Sequence, residues 1–161
     1  MANVHRLVPC LWFDTKAEEA ATYYCAIFKN SRITRVERYG MAGQEITRKP
    51  PGSVMVVEFE LDGQKFTALN GGPEFKFNES VSFQVMCEDQ KEIDYYWDKL
   101  TAGGDPKAQQ CGWLKDKFGL SWQVVPRNMP DLSSPEGQRM MEAFLKMQKI
   151  DIAALERAAA A

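Results

Sequence analysis

Residues able to do chemistry are few and widely spaced in this sequence. The only histidine is His5, and the four cysteines, Cys10, Cys25, Cys87 and Cys111, form no CxxC pair. That spacing offers neither a zinc knuckle nor a dithiol redox motif, so reduced, partly buried thiols are expected. A Cys/His nucleophile would need His5 beside a distant thiol, and no local motif predicts that. Glu58 and Glu60 stand two apart, on one face of a strand, where paired carboxylates can divide acid and base roles. Their alternation with Met55, Val57, Phe59 and Leu61 favours a plain solvated face. In "CGWLKDKFGLSWQVVP", residues 111 to 126, Lys115 and Lys117 flank Asp116. They could attract an anionic ligand, with Asp116 shaping the turn, although a charged surface turn is the simpler reading. Trp12, Trp113 and Trp122 could stack an aromatic ligand, but alternation puts Trp12 and Trp122 on the apolar side.

The elements that must position these residues follow from hydrophobic period and turn chemistry. "RLVPCLWFD" (6 to 14) reads as a buried strand and "TKAEEAATYYCAIFKN" as a helix, with Thr15 and Glu18 spaced as a capping box. A strand is expected over 32 to 40, then an irregular loop, then two strands joined by Asp62-Gly63, a strong hairpin signal. After the linker "GGPEFKFNE" the order restarts with a strand over 80 to 87 and a helix over 89 to 104. A short strand near "DPKAQQ" and the hairpin of residues 111 to 126 complete it. Two β-α-β-β-β units of this kind restrict the fold far more than separate elements would. Beyond Pro130 the chain reads as helical, with a Ser133/Glu136 capping box, Pro135 in the first turn and Asp151 capping a final helix. The face formed by Met140, Met141, Phe144, Leu145 and Met147 reads as core or subunit interface.

The strand "SVSFQVMC" alternates cleanly. Val81, Phe83, Val85 and Cys87 point one way, and Ser80, Ser82, Gln84 and Met86 the other. In "LSWQVVP", Leu120, Trp122 and Val124 oppose Ser121, Gln123 and Val125. A polar face of this sort is either a wet ligand cleft or the solvated side of an antiparallel sheet.

Composition excludes several classes. The chain has 161 residues, 45% hydrophobic and 26% charged, enough for one domain that buries about 70% of its unfolded surface. Twenty basic against 22 acidic residues give a net charge of −2 with no basic stripe, so nucleic acid is not an expected partner. The start lacks a secretory pattern and no apolar run nears a membrane span, so a cytoplasmic protein with no membrane partner is expected.

The paired units, the "LWFDTKAEEAATYYCAIFKNSRI" opening, the 111 to 126 hairpin and the "KMQKIDIAALERA" tail together resemble the PhnB-like branch of the vicinal oxygen chelate superfamily. That superfamily holds glyoxalase I, extradiol dioxygenases and the fosfomycin- and bleomycin-resistance proteins, and this branch often carries a demethylubiquinone methyltransferase label. The resemblance implies an α+β fold: two βαβββ modules forming a curled mixed sheet around a cleft, a helical C-terminal tail, and a homodimer. It sets a single domain over 1–161, with module one at 4–71, module two at 80–127 and the tail at 132–161.

Catalytic members of the superfamily hold a divalent metal with side chains from four strands. Carried over one at a time, those positions fall at Leu7, near Asn70, at Ser80 and at Gln123. These are poor metal ligands, lacking imidazole, carboxylate or thiolate. His5, two residues before Leu7, and Gln123 are the remaining weak candidates. The leading expectation is a small-molecule binding protein of unassigned activity, with no cofactor and no superfamily metal. Its cleft is expected to be lined by Leu7, Leu11, Phe13, Asn70, Ser80, Ser82, Gln84 and Gln123. Three alternatives remain: a metal-dependent lyase or dioxygenase using His5, Gln123 and an acid such as Glu58; the methyltransferase of the label; and a structural dimerisation module. The methyltransferase reading finds no glycine-rich turn between a first strand and a helix, since "NGGP" precedes "EFKFNES".

Overall fold

The computed structural model describes residues 6–161, so His5 lies outside the described residues. The chain divides into two compact units, one ending at Lys76 and the other beginning at Phe77.

The first unit runs β1 (Cys10–Phe13), α1 (Ala17–Ile27), β2 (Arg32–Arg38), α2 (Gln44–Thr47), β3 (Val54–Leu61) and β4 (Gln64–Asn70). Its sheet has the order β1-β4-β3-β2, with β1 parallel to β4 and the other pairs antiparallel. The β3–β4 hairpin turns on Asp62 and Gly63 at φ 47° and 79°, the positive values that let a two-residue loop follow the strand twist. Leu11, Phe13, Val57, Phe59, Leu61, Phe66 and Ala68 are buried on the sheet face that meets α1. From the helix come Ala17, Ala20, Ala21, Tyr24 and Ile27, and the alanines let its backbone approach the sheet closely. Trimming a core aromatic such as Phe59 to alanine costs about 3–5 kcal/mol in sites of this kind.

Two local expectations fail here for physical reasons. Thr15 does not cap α1: the cap position is Lys16, without a side-chain cap bond. Instead Asn70 Oδ1 at the end of β4 accepts from Ala17 N at 2.8 Å, so a distant amide replaces the nearby hydroxyl. Trp12, expected on the core side, alternates away from Leu11 and Phe13. Its Nε1 donates to Gly72 O at 2.9 Å and its ring meets Phe75 edge-on.

The second unit runs β5 (Ser82–Cys87), α3 (Gln90–Thr101), a 3-10 turn (Pro106–Ala108), β6 (Trp113–Lys115), β7 (Ser121–Pro126), α4 (Pro135–Phe144) and α5 (Ile152–Ala160). The expected strand near "DPKAQQ" is that 3-10 turn. Pro106 starts it, Asp105 Oδ1 accepts from Lys107 N, and the strand pairing left is one bridge between Gln110 and Trp113. Among the described residues the sheet therefore has three strands, β5-β7-β6, with β5 and β7 parallel. Val85, Cys87, Trp122 and Val124 are buried on the face toward α3, which contributes Ile93, Trp97 and Leu100.

Helix α4 starts one residue later than the capping box suggested. Ser134 accepts from Gly137 N, while the Ser133 hydroxyl donates to Asp131 Oδ1 at 2.7 Å. Asp151 caps α5 through Ala154 N. The segment between these helices is tied to the hairpin, because Cys111 N and Gly112 N donate to Met147 O and Gln148 O, both at 2.8 Å. Among the described residues no helix is long and apolar enough to cross a membrane.

Candidate functional site

The polar face of the second unit is built by alternation on paired strands. Registering Gln84 with Gln123, Gln123 with Trp113, and Lys115 with Ser121 puts these side chains on the side away from α3. Ser82 is on the same side, and Gln123 Nε2 donates to its Oγ at 2.9 Å. Gln84 is exposed. Ser80 precedes β5, and its backbone N and hydroxyl both donate to Asn78 Oδ1, at 2.9 and 2.5 Å.

In the first unit Leu11, Phe13 and Asn70 lie on the α1 face, and Leu7 is 87% exposed ahead of β1. The Asn70 amide is engaged at both ends: Oδ1 with Ala17 N, Nδ2 donating to Val54 O at 3.1 Å. Glu60 faces Arg32 at 3.3 Å, the ordinary arrangement of a charged strand face. In the first unit, then, Leu11, Phe13 and Asn70 share the buried face packed on α1 rather than an open one, and in the second Ser82, Gln84 and Gln123 share the face away from α3.

The metal positions implied by the resemblance do not fit a divalent ion in the described residues. Leu7 has no donor atom, the Asn70 amide is spent on two backbone groups, and Ser80 and Gln123 offer only uncharged hydroxyl and amide oxygens. Zinc, iron and nickel sites are built from imidazole, carboxylate and thiolate donors. Among the described residues no group of three His, Cys, Asp or Glu side chains gathers to hold an ion.

At the hairpin tip Asp116 shapes the turn as expected, and its burial and its bond to Trp122 go beyond that expectation. Asp116 is 2% exposed, not part of a charged surface tip. Its Oδ1 accepts from Phe118 N and Leu120 N, at 2.8 and 3.1 Å, and its Oδ2 from Trp122 Nε1 at 2.9 Å. The carboxylate thus closes the turn and fixes the core tryptophan that precedes Gln123. Lys115 leaves the turn and pairs with Glu79 at 2.5 Å, and this bond holds the Glu79 carboxyl below its usual range.

Beside the polar face lies a cavity of about 540 Å³, walled by Trp113, Leu114, Lys115, Ser121, Phe144 and Leu145. Ser121 is 1% exposed and its hydroxyl, buried, has no hydrogen-bond partner. The alternation of "LSWQVVP" signals Ser121 as a neighbour of Gln123, but nothing local signals that the tail supplies Phe144 and Leu145.

Fold and site together define a glyoxalase-fold protein of the vicinal oxygen chelate type. A PhnB protein from Bacillus cereus bearing a 3-demethylubiquinone-9 3-methyltransferase label is similar at 32% identity. The match covers 76% of this chain and 99% of that one, with a TM-score of 0.64. The chain belongs to the family described as 3-demethylubiquinone-9 3-methyltransferase, whose model matches residues 5–125. Two more distant structures share the fold alone. The fosfomycin resistance protein FosX from Listeria monocytogenes is 14% identical, covering 83% of this chain and 99% of that one (TM-score 0.51). A glyoxylase/bleomycin resistance protein/dioxygenase domain from a Frankia species is 11% identical, covering 81% and 97% (TM-score 0.50). No curated protein matches the chain.

Proposed function

We propose that this protein binds a small organic molecule on the polar face of β5, β7 and β6, through Ser82, Gln84 and Gln123, without the superfamily's divalent metal. The observation that carries this reading is the Gln123–Ser82 hydrogen bond. It joins two uncharged groups, one of them where the resemblance puts a metal-binding carboxylate. Such a pair can orient a carbonyl or hydroxyl of a ligand but has no formal charge to hold an ion. The protein acts as a homodimer, as the resemblance implies, and a reducing, cytoplasmic setting suits its four free cysteines.

Methyl transfer, the activity in the family's description, fits this chain less well. The glycine pair Gly71-Gly72 follows β4, and the next element is β5, so it opens no helix of the kind that cradles S-adenosylmethionine. Its use is packing: a Cβ on Gly71 would stand 2.2 Å from the Trp12 ring.

The test is a thermal-shift screen of small organic molecules against the wild-type protein and Gln123→Leu. One ligand at 100 times its Kd adds about 2.7 kcal/mol to stability. The proposal expects at least one compound to raise the melting temperature of the wild type and to lose most of that shift in Gln123→Leu. A shift that survives the substitution unchanged would place binding elsewhere and overturn it.

A further inference from the structure

We infer that the cavity between the β6–β7 hairpin and the C-terminal end of α4 binds a compact apolar carboxylic acid, whose carboxylate takes the place of Glu79 on Lys115. Three independent features lead there. The walls are mainly apolar, with Trp113, Leu114, Phe144 and Leu145, and about 540 Å³ is within the range of small-molecule sites. Among the described residues the lining holds one cation: Lys115 is only 26% exposed, whereas its partner Glu79 is 64% exposed. A carboxylate carried on an exposed, single side chain is readily displaced by another that arrives with an apolar body to bury. Finally, Ser121 stands opposite Lys115 in register, so its unpartnered hydroxyl and the Lys115 side chain leave the hairpin on the same face. A carboxylate has lone pairs for both groups.

The cavity's position is fixed by the fold. Asp116 holds the turn on one side, and the bonds from Cys111 N and Gly112 N hold the tail segment on the other. The inference rests on the proposed function, because Ser121 and Gln123 share one face of β7, and it deepens it by naming the ligand's charge and the residue that reads it.

The test uses phenylacetate and hexanoate, each beside its neutral primary amide, titrated by calorimetry into the full-length protein. The acids should bind better than the amides. Glu79→Gln, which removes the competing carboxylate, should tighten acid binding about threefold and leave the amides unchanged. Lys115→Met should weaken the acids about tenfold or more and erase the preference over amides. Equal binding of acid and amide, no saturable binding of either acid, or no gain in Glu79→Gln overturns the inference. Gln123→Leu tests the underlying reading separately. If neutral amides bind and lose affinity in Gln123→Leu while the acids show no preference, the face binds ligand but the carboxylate assignment falls.

Discussion

At the scale of single residues, the chemistry of this chain is carried by groups that hold geometry as much as by groups that could meet a ligand. Asp116 is the clearest case. Its carboxylate accepts from two backbone amides of its own turn and from the Trp122 indole. Asp116→Asn keeps one oxygen but presents an NH2 group, which cannot accept the indole N–H. Urea unfolding should show a loss of about 2–3 kcal/mol, with a changed near-ultraviolet signal from Trp122. A loss below about 0.5 kcal/mol would mean that the turn stands without the carboxylate. Cys87 gives a second residue-scale prediction. Burial, then the nearby Glu92 and Asp89 carboxylates, push its thiol from 9.0 up to about 12. The folded chain therefore holds this proton more tightly than the unfolded one. The resulting stabilisation is present below about pH 9 and is lost as pH rises toward about 12. Stability measured from pH 8 to 11 should fall more steeply in the wild type than in Cys87→Ala, and parallel curves would contradict the assignment. At pH 8, iodoacetamide should label exposed Cys10 well before Cys87.

At the scale of elements, the join between β4 and α1 sets the shape of the first unit. Asn70 connects three elements: Oδ1 to the start of α1, Nδ2 to the start of β3, and its backbone in register with Phe13. Asn70→Ala should cost about 2 kcal/mol, seen as a lower denaturant midpoint, since it removes a helix cap and leaves buried backbone groups unpaired. A change within 0.5 kcal/mol would show that the helix start needs no such tie. Which elements were legible in the sequence follows from how local their causes are. The Asp62-Gly63 hairpin and the two faces of "SVSFQVMC" could be read directly, because turn chemistry and a period of two act within a few residues. The cap of α1 could not, because the acceptor that replaces Thr15 lies 53 residues away. The "DPKAQQ" strand failed because Asp105 and Pro106 favour a tight turn over extension. The direction of alternation in β1 is likewise decided by where α1 docks, and four residues with apolar side chains on both faces hold no record of that.

At the scale of the whole molecule, strand, helix and hairpin recur in the same order in both units, and the family model and the Bacillus cereus protein place the chain in its family. The repeat is unequal: four strands in the first unit and three in the second among the described residues. The candidate site was only partly legible. Ser82, Gln84 and Gln123 came from alternation, whereas the cavity beside them depends on Phe144 and Leu145 of the tail, whose docking the sequence does not signal. The proposed homodimer is checked by sedimentation across micromolar concentrations, where a species of twice the chain mass is expected and a monomer throughout would contradict it. The proposed mode of binding uses uncharged and basic groups and no divalent metal. Elemental analysis tests it most directly, on protein purified without a metal-affinity tag and then offered zinc, nickel, manganese and ferrous iron in turn. Far less than one metal per chain after dialysis is expected for every ion. A stoichiometric, tightly held metal would contradict it and move the metal-dependent enzyme to the front.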